Sequence, residues 1–162
     1  MKTVSIKELM VPLNEYATVS ENATLADAIQ ALDHAQETFC QNKYRHRAIL
    51  VLDKNQQPMG KIGQIDALRA LEPKYKEIQN QDTRGAFRHF SRMFLNSMIE
   101  YHSLFDGSLE DFRKKAAAIH VRDFMHTLSA DECVSEDATL DEAIHHLVMG
   151  HQQSLLVRRD DK

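Results

Sequence analysis

The sequence predicts an α+β fold made of two β-α-β-β-α repeats with a helical hairpin set between them. Three observations carry that reading. Ile6 to Leu32 aligns without a gap onto Val121 to Leu147 at a constant offset of 115 positions, the mark of a duplicated supersecondary unit whose copies bury a face against each other. Within each copy a Thr and an acidic residue three positions on precede an apolar stripe at helical spacing, the form of a capping box. Between the copies, Phe87, Phe90, Phe94, Met98, Tyr101 and Phe105 recur at steps of three and four, which predicts an amphipathic helix.

Taken in order, Tyr16–Val19 is short and suits a brief strand. Thr24 with Asp27 starts a helix whose stripe is Leu25, Ala28, Ile29 and Leu32. Arg47–Asp53 reads as a buried strand, Lys54–Pro58 as a turn and Met59–Gly63 as a returning strand. Gln64–Leu71 reads as a helix with Ile65, Leu68 and Leu71 inward, stopped by Pro73. These elements make residues 1–73 the first repeat. Residues 74–120 are the inserted hairpin, in which Asp106-Gly107 breaks the Phe-rich helix. Ser108 with Asp111 caps a second helix carrying Leu109, Phe112, Ala116 and Ile119. Residues 121–162 are the second repeat, with Glu132–Val134 as its first strand and Thr139 with Glu142 capping Leu140, Ala143, Ile144 and Leu147. The plan is followed through Ser154–Val157. No counterpart of Met59–Leu71 follows before Lys162, so this repeat is expected to be incomplete.

Composition narrows the function. Twenty Lys and Arg against 24 Asp and Glu give a net charge of −4, which argues against nucleic-acid binding. The longest apolar run, Ala48–Leu52, is far short of the ~20 residues that span a bilayer. The start, Met1–Ser5, lacks the apolar core of a secretory signal. Two distant cysteines, Cys40 and Cys133, make no disulfide framework, and a cytoplasmic location is expected.

The paired Val-x-x-x-x-Thr-Leu-x-x-Ala-Ile signatures, from Val19 and from Val134, each preceded by a Met-led segment, and the closing Gly60-Lys61-Ile62-Gly63-Gln64-Ile65-Asp66 resemble a tandem cystathionine β-synthase (CBS) domain pair, the Bateman module. The resemblance spans Ile6–Glu72 and Val121 to about Asp160, with the helical insert outside it. It implies a pseudo-two-fold pair with two clefts between the repeats. It also implies a homodimer, and regulation rather than catalysis. The ligand it implies is an adenosine derivative: AMP, ADP, ATP, S-adenosylmethionine or a cyclic dinucleotide. On this pattern Asp66 takes the ribose hydroxyls and Ala17 and Thr18 border the base. Arg47, Ala48 and Ile49 line the cleft, with Arg47 reaching a phosphate, and Thr127, Cys133 and Ser154 form the opposite wall. Gly63 stands where the family usually carries Ser or Thr.

Other chemistry has less support. Gly60-Lys61 has no Gly five residues earlier and so is no Walker motif, and neither Gly-x-Ser-x-Gly nor His-Glu-x-x-His occurs. No catalytic residue, metal ligand set or cofactor is assigned. Glu142 with His145, and His146 with His151, invite a metal reading, but a single Glu-x-x-His is half of what such a site needs. Arg45-His46-Arg47 fits a phosphate clamp or a solvated strand entry equally, and Asp66 at a helix start is also placed to serve the helix dipole. The leading reading is a sensor for an adenosine-containing ligand that signals through the insert to a protein partner. The alternative is a ligand-free scaffold in which the Phe-rich helix serves dimerisation or docking, and a metal-responsive protein is a distant third.

Overall fold

The computed structural model describes residues 4–39, 46, 48–81 and 91–159. Of the positions singled out above, Cys40, Arg45, Arg47, Phe87 and Phe90 lie outside the described residues. The elements run β1 (Thr18–Ser20), α1 (Leu25–Phe39), β2 (Ala48–Leu52), β3 (Pro58–Gly63), α2 (Gln64–Leu71), α3 (Lys74–Gln81), α4 (Arg92–His102), α5 (Leu109–Ala118), β4 (His126–Thr127), β5 (Cys133–Ser135), α6 (Leu140–Met149) and β6 (Leu156–Arg158).

Two sheets result. The first has the order β1-β2-β3-β4 and the second is β5-β6. β1 lies parallel to β2 with Thr18 opposite Leu50, and β5 lies parallel to β6 with Cys133 opposite Leu156. The duplicated strand–helix–strand is thus built twice in the same sense. Capping starts both helices: the Asp27 carboxylate accepts the Thr24 N–H at 2.8 Å, and that of Glu142 accepts the Thr139 N–H at 2.8 Å. The β2-β3 turn is fastened by Asp53, whose Oδ1 accepts from the N–H groups of Asn55 and Gln57, both at 2.8 Å.

The two repeats interlock by exchanging their leading segments. Ile6 N–H donates to Ala138 O at 3.0 Å and Leu140 N–H to Val4 O at 3.0 Å. The mirror-image set is Val121 N–H to Ala23 O and Leu25 N–H to Ile119 O, each 2.9 Å. Val121, fully buried, therefore sits in the first repeat's core beside Ala28, Ile49, Val51 and Ile62, and Ile6 is buried at the matching point of the second repeat.

Several sequence expectations shift. In α2 the inward residues are Ala67, Ala70 and, as expected, Leu71, while Ile65 and Leu68 are 58% and 51% exposed. Ile29 is likewise exposed, because the sheet contacts the Ala28–Leu32–Ala35 side of α1. The insert is more than a hairpin: α3, α4 and α5 are all present among the described residues. Pro73 ends α2 and also opens α3, accepting the Lys76 N–H at 2.9 Å. The Phe-rich helix does not reach Phe105. It stops at Ser103, which is left-handed (φ 48°). Lys74 Nζ donates to Ser103 O at 2.7 Å, and the buried Glu72 carboxylate accepts the Phe105 N–H at 2.8 Å. That capture turns the chain before Asp106-Gly107 and seats the Phe105 ring 5.9 Å from both Tyr75 and Phe112.

Leu25 is fully buried between α2 and α5. Leu25→Ala should lower the free energy of unfolding in urea by about 2–5 kcal/mol, while the exposed Ile65→Ala should change it by under about 1 kcal/mol.

Candidate functional site

The start of β1, the start of β2 and the end of β3 meet at one end of the first sheet. Ala48 is paired with Gly63 across β2-β3, and Ala17 O accepts the Leu50 N–H at 2.9 Å. Asp66, in the first turn of α2, folds back so that Oδ2 accepts the Gly63 N–H at 2.9 Å. A Cβ on residue 63 would stand 3.2 Å from that oxygen, so the glycine eases the carboxylate into its cap. Thr18, Ala48, Gly63 and the half-buried Asp66 thus share one rim, at the amide-rich N-terminus of a helix where anions are favoured.

The other expected residues fall elsewhere. Ala17 and Ile49 point into the core and are 2% and 4% exposed, so their side chains offer no surface to a ligand. Thr127 is exposed on β4, paired with Gly60 rather than with Gly63. Cys133, whose Sγ–H donates to Ser129 O at 3.6 Å, and the exposed Ser154 lie at the corresponding end of the second sheet. Residue 47, next to Ala48, lies outside the described residues. His145, His146 and His151 are exposed on α6 and just beyond it, and no group of three His, Cys, Asp or Glu among the described residues is arranged to hold a metal.

Sequence reasoning missed the charged junction between the repeats. Ser129–Glu132 forms a short turn with a capping box, and Glu132, 1% exposed, takes the place that Ala17 holds in the first repeat. Its Oε2 accepts from Ser129 N–H at 3.1 Å and lies 2.7 Å from His126 Nε2, while Oε1 is paired with Lys61 on β3. Burial by itself would raise the Glu132 pKa. The Lys61, Ser129 and His126 hydrogen bonds outweigh it and hold the value down at about 2, from an ordinary 4.5. The signal available in the sequence was Ser129-x-x-Glu132. Lys61 and Glu132 also form part of the wall of a cavity of about 920 Å³ between the repeats, which of the expected site residues among the described ones only Ser154 lines.

A protein-family model described as CBS domain matches residues 6–73. Residues 6–73 are a CBS domain. Since Val121–Leu147 repeats its first half and builds the same parallel pair, the chain has the α+β fold of a tandem CBS pair. Solved CBS structures agree. The CBS domain of a CBS domain containing membrane protein from Sphaerobacter thermophilus superposes with TM-score 0.62 at 16% identity, over 98% of this chain and 79% of that one. CBSX2 of Arabidopsis thaliana in complex with AMP gives 0.54 at 16% identity, over 98% and 84%. The CBS domain of a bacterial CNNM/CorC family Mg2+ transporter in complex with ATP gives 0.58 at 13% identity, over 98% and 76%. No curated protein matches the sequence.

Because the Glu132 pKa is depressed in the folded CBS pair, its contribution to stability is full above pH 4.5 and is lost as pH falls towards 2. Glu132→Gln should flatten urea-unfolding stability over that window. At neutral pH it should cost on the order of 1–3 kcal/mol, since Lys61 loses its anionic partner.

Proposed function

We propose that this CBS pair is a non-catalytic regulatory module that takes an adenosine-containing ligand at the rim of Thr18, Ala48, Gly63 and Asp66. The observation that carries the reading is Asp66. Its Oδ2 is committed to the cap, and Oδ1 is at hand for a vicinal diol beside strand backbone and a helix N-terminus. A carboxylate suits ribose hydroxyls, and the helix start with Arg47 suits phosphate. CBS neighbours solved with AMP and with ATP support that ligand class. AMP, ADP or ATP fits most simply, with S-adenosylmethionine and cyclic dinucleotides as further members. Arg47 and, from the other repeat, Thr127, Cys133 and Ser154 are proposed as outer contacts. No helix of the described residues is long and apolar enough to cross a membrane, and we place the protein in the cytoplasm as a homodimer that passes its signal to a protein partner.

A second reading is favoured by α4. Met93 and Tyr101 are 81% and 85% exposed, and Phe94 is 42% exposed, an apolar helix face suited to self-association. On that reading the pair is a scaffold without a ligand.

Thermal unfolding against AMP, ADP, ATP, S-adenosylmethionine and a cyclic dinucleotide separates the two. A ligand at about 100 times its Kd adds about 2.7 kcal/mol and raises Tm by several degrees. Asp66→Asn keeps an acceptor for the Gly63 cap but removes the anion. It should abolish most of the shift while leaving the Tm without ligand nearly unchanged. A flat panel with a dimer that Tyr101→Glu dissociates in sedimentation would replace the sensor by the scaffold.

A further inference from the structure

The register of the first sheet decides which side chains share the face of the ligand rim. Thr18 lies opposite Leu50, Ala48 opposite Gly63, Leu50 opposite Lys61, and Lys61 opposite His126. Residues directly opposite one another share a face, as do residues two apart on one strand. Thr18, Ala48 and Gly63 of the rim therefore stand on the same face as Lys61 and His126, while Ile49, Val51 and Ile62 enter the core on the other. At a rise of about 3.3 Å per residue, Lys61 lies about 7 Å from Gly63 along β3. That is within reach of the phosphate of a nucleotide whose ribose is held at Asp66.

The charges on this face are layered. The Glu132 side chain is 1% exposed, against 19% for Lys61 and 52% for His126. Its Oε1 pairs with Lys61, and its Oε2 accepts the Ser129 N–H at 3.1 Å and lies 2.7 Å from His126 Nε2. The carboxylate is thus hidden behind an ammonium and an imidazole. An ammonium carries three N–H donors. Glu132 engages one, and among the described residues no other acceptor is bonded to Lys61 Nζ.

We propose, resting on the Asp66 reading, that Lys61, anchored by Glu132 of the other repeat, is a phosphate contact of this cleft and makes it select an adenosine phosphate over adenosine or S-adenosylmethionine. The anchor fixes a long side chain in advance, which removes much of the ordering cost of binding. Two donors stay available for phosphate oxygens, and a charge-assisted hydrogen bond to a phosphate is among the strong ones. The sulfonium of S-adenosylmethionine meets a cation at the same place. Phosphate, Lys61 and Glu132 form one chain of contacts from the ligand to the second repeat.

Calorimetric titration of the full chain with AMP and with adenosine tests this, because the two probes differ only in the phosphate. Wild type should bind AMP about tenfold or more tighter than adenosine, the scale of one charge-assisted hydrogen bond. Lys61→Gln keeps a donor for the buried Glu132 but removes the charge. It should lose most of the AMP advantage while adenosine binds as before, and Lys61→Arg should retain that advantage. Should Lys61→Gln fail to fold, Lys61→Met combined with Glu132→Leu replaces the pair by apolar side chains and reads the same ratio. An AMP advantage that survives in a folded variant would overturn the proposal. So would an equal loss of both probes, which is what a purely structural Lys61 produces. Equal wild-type binding of AMP and adenosine would overturn it and leave the Asp66 reading standing, whereas binding of neither would bring down both.

Discussion

The two repeats are held together by an exchange of their leading segments. Each repeat lends the other a strand-like stretch just before its own first strand, and four main-chain hydrogen bonds at 2.9–3.0 Å hold the two stretches in place. The loan is also one of core volume: Val121 fills the first repeat and Ile6 the second. A buried aliphatic side chain contributes about 1.5–3 kcal/mol, and here that gain exists only when both repeats are present. The insert between them folds onto this frame, with α5 packed against α1 and Ala116 in the cluster with Leu25 and Ala70.

A second tie, between β3 and the turn before β5, runs close to the proposed ligand rim. Lys61, held by the buried Glu132 of the other repeat, is two residues from Gly63, whose N–H is capped by Asp66. On the proposed reading, a ligand that engages Asp66 acts on the same strand that carries the inter-repeat ion pair. It can then favour one arrangement of the two repeats over another by its differential affinity.

The elements most legible in the sequence were those set by local chemistry. Thr24 with Asp27, Thr139 with Glu142 and Ser108 with Asp111 mark helix starts through hydrogen bonds made within three residues. Ala48–Leu52 could be read as a strand because it is continuously apolar. What failed depended on distant partners. Ile65 and Leu68 have the spacing of an inward face, yet the small Ala67 and Ala70 lie against the neighbouring elements. Phe105 continues the helical period, but Glu72 and Lys74, some thirty positions earlier, turn the chain at Ser103. At the site, Gly63 and Asp66 were visible as a motif. Glu132 was not, because its significance comes from Lys61 on another repeat.

Through the exchanged segments the two repeats form one cooperative body. Hydrogen exchange of wild type and Val121→Ala, followed separately in α1 and α6, tests it most directly. Val121 is buried in the first repeat's core only, so a local effect would be confined there. Protection is expected to fall together and by a similar factor in α1 and α6. Loss of protection in α1 with α6 unchanged would contradict it.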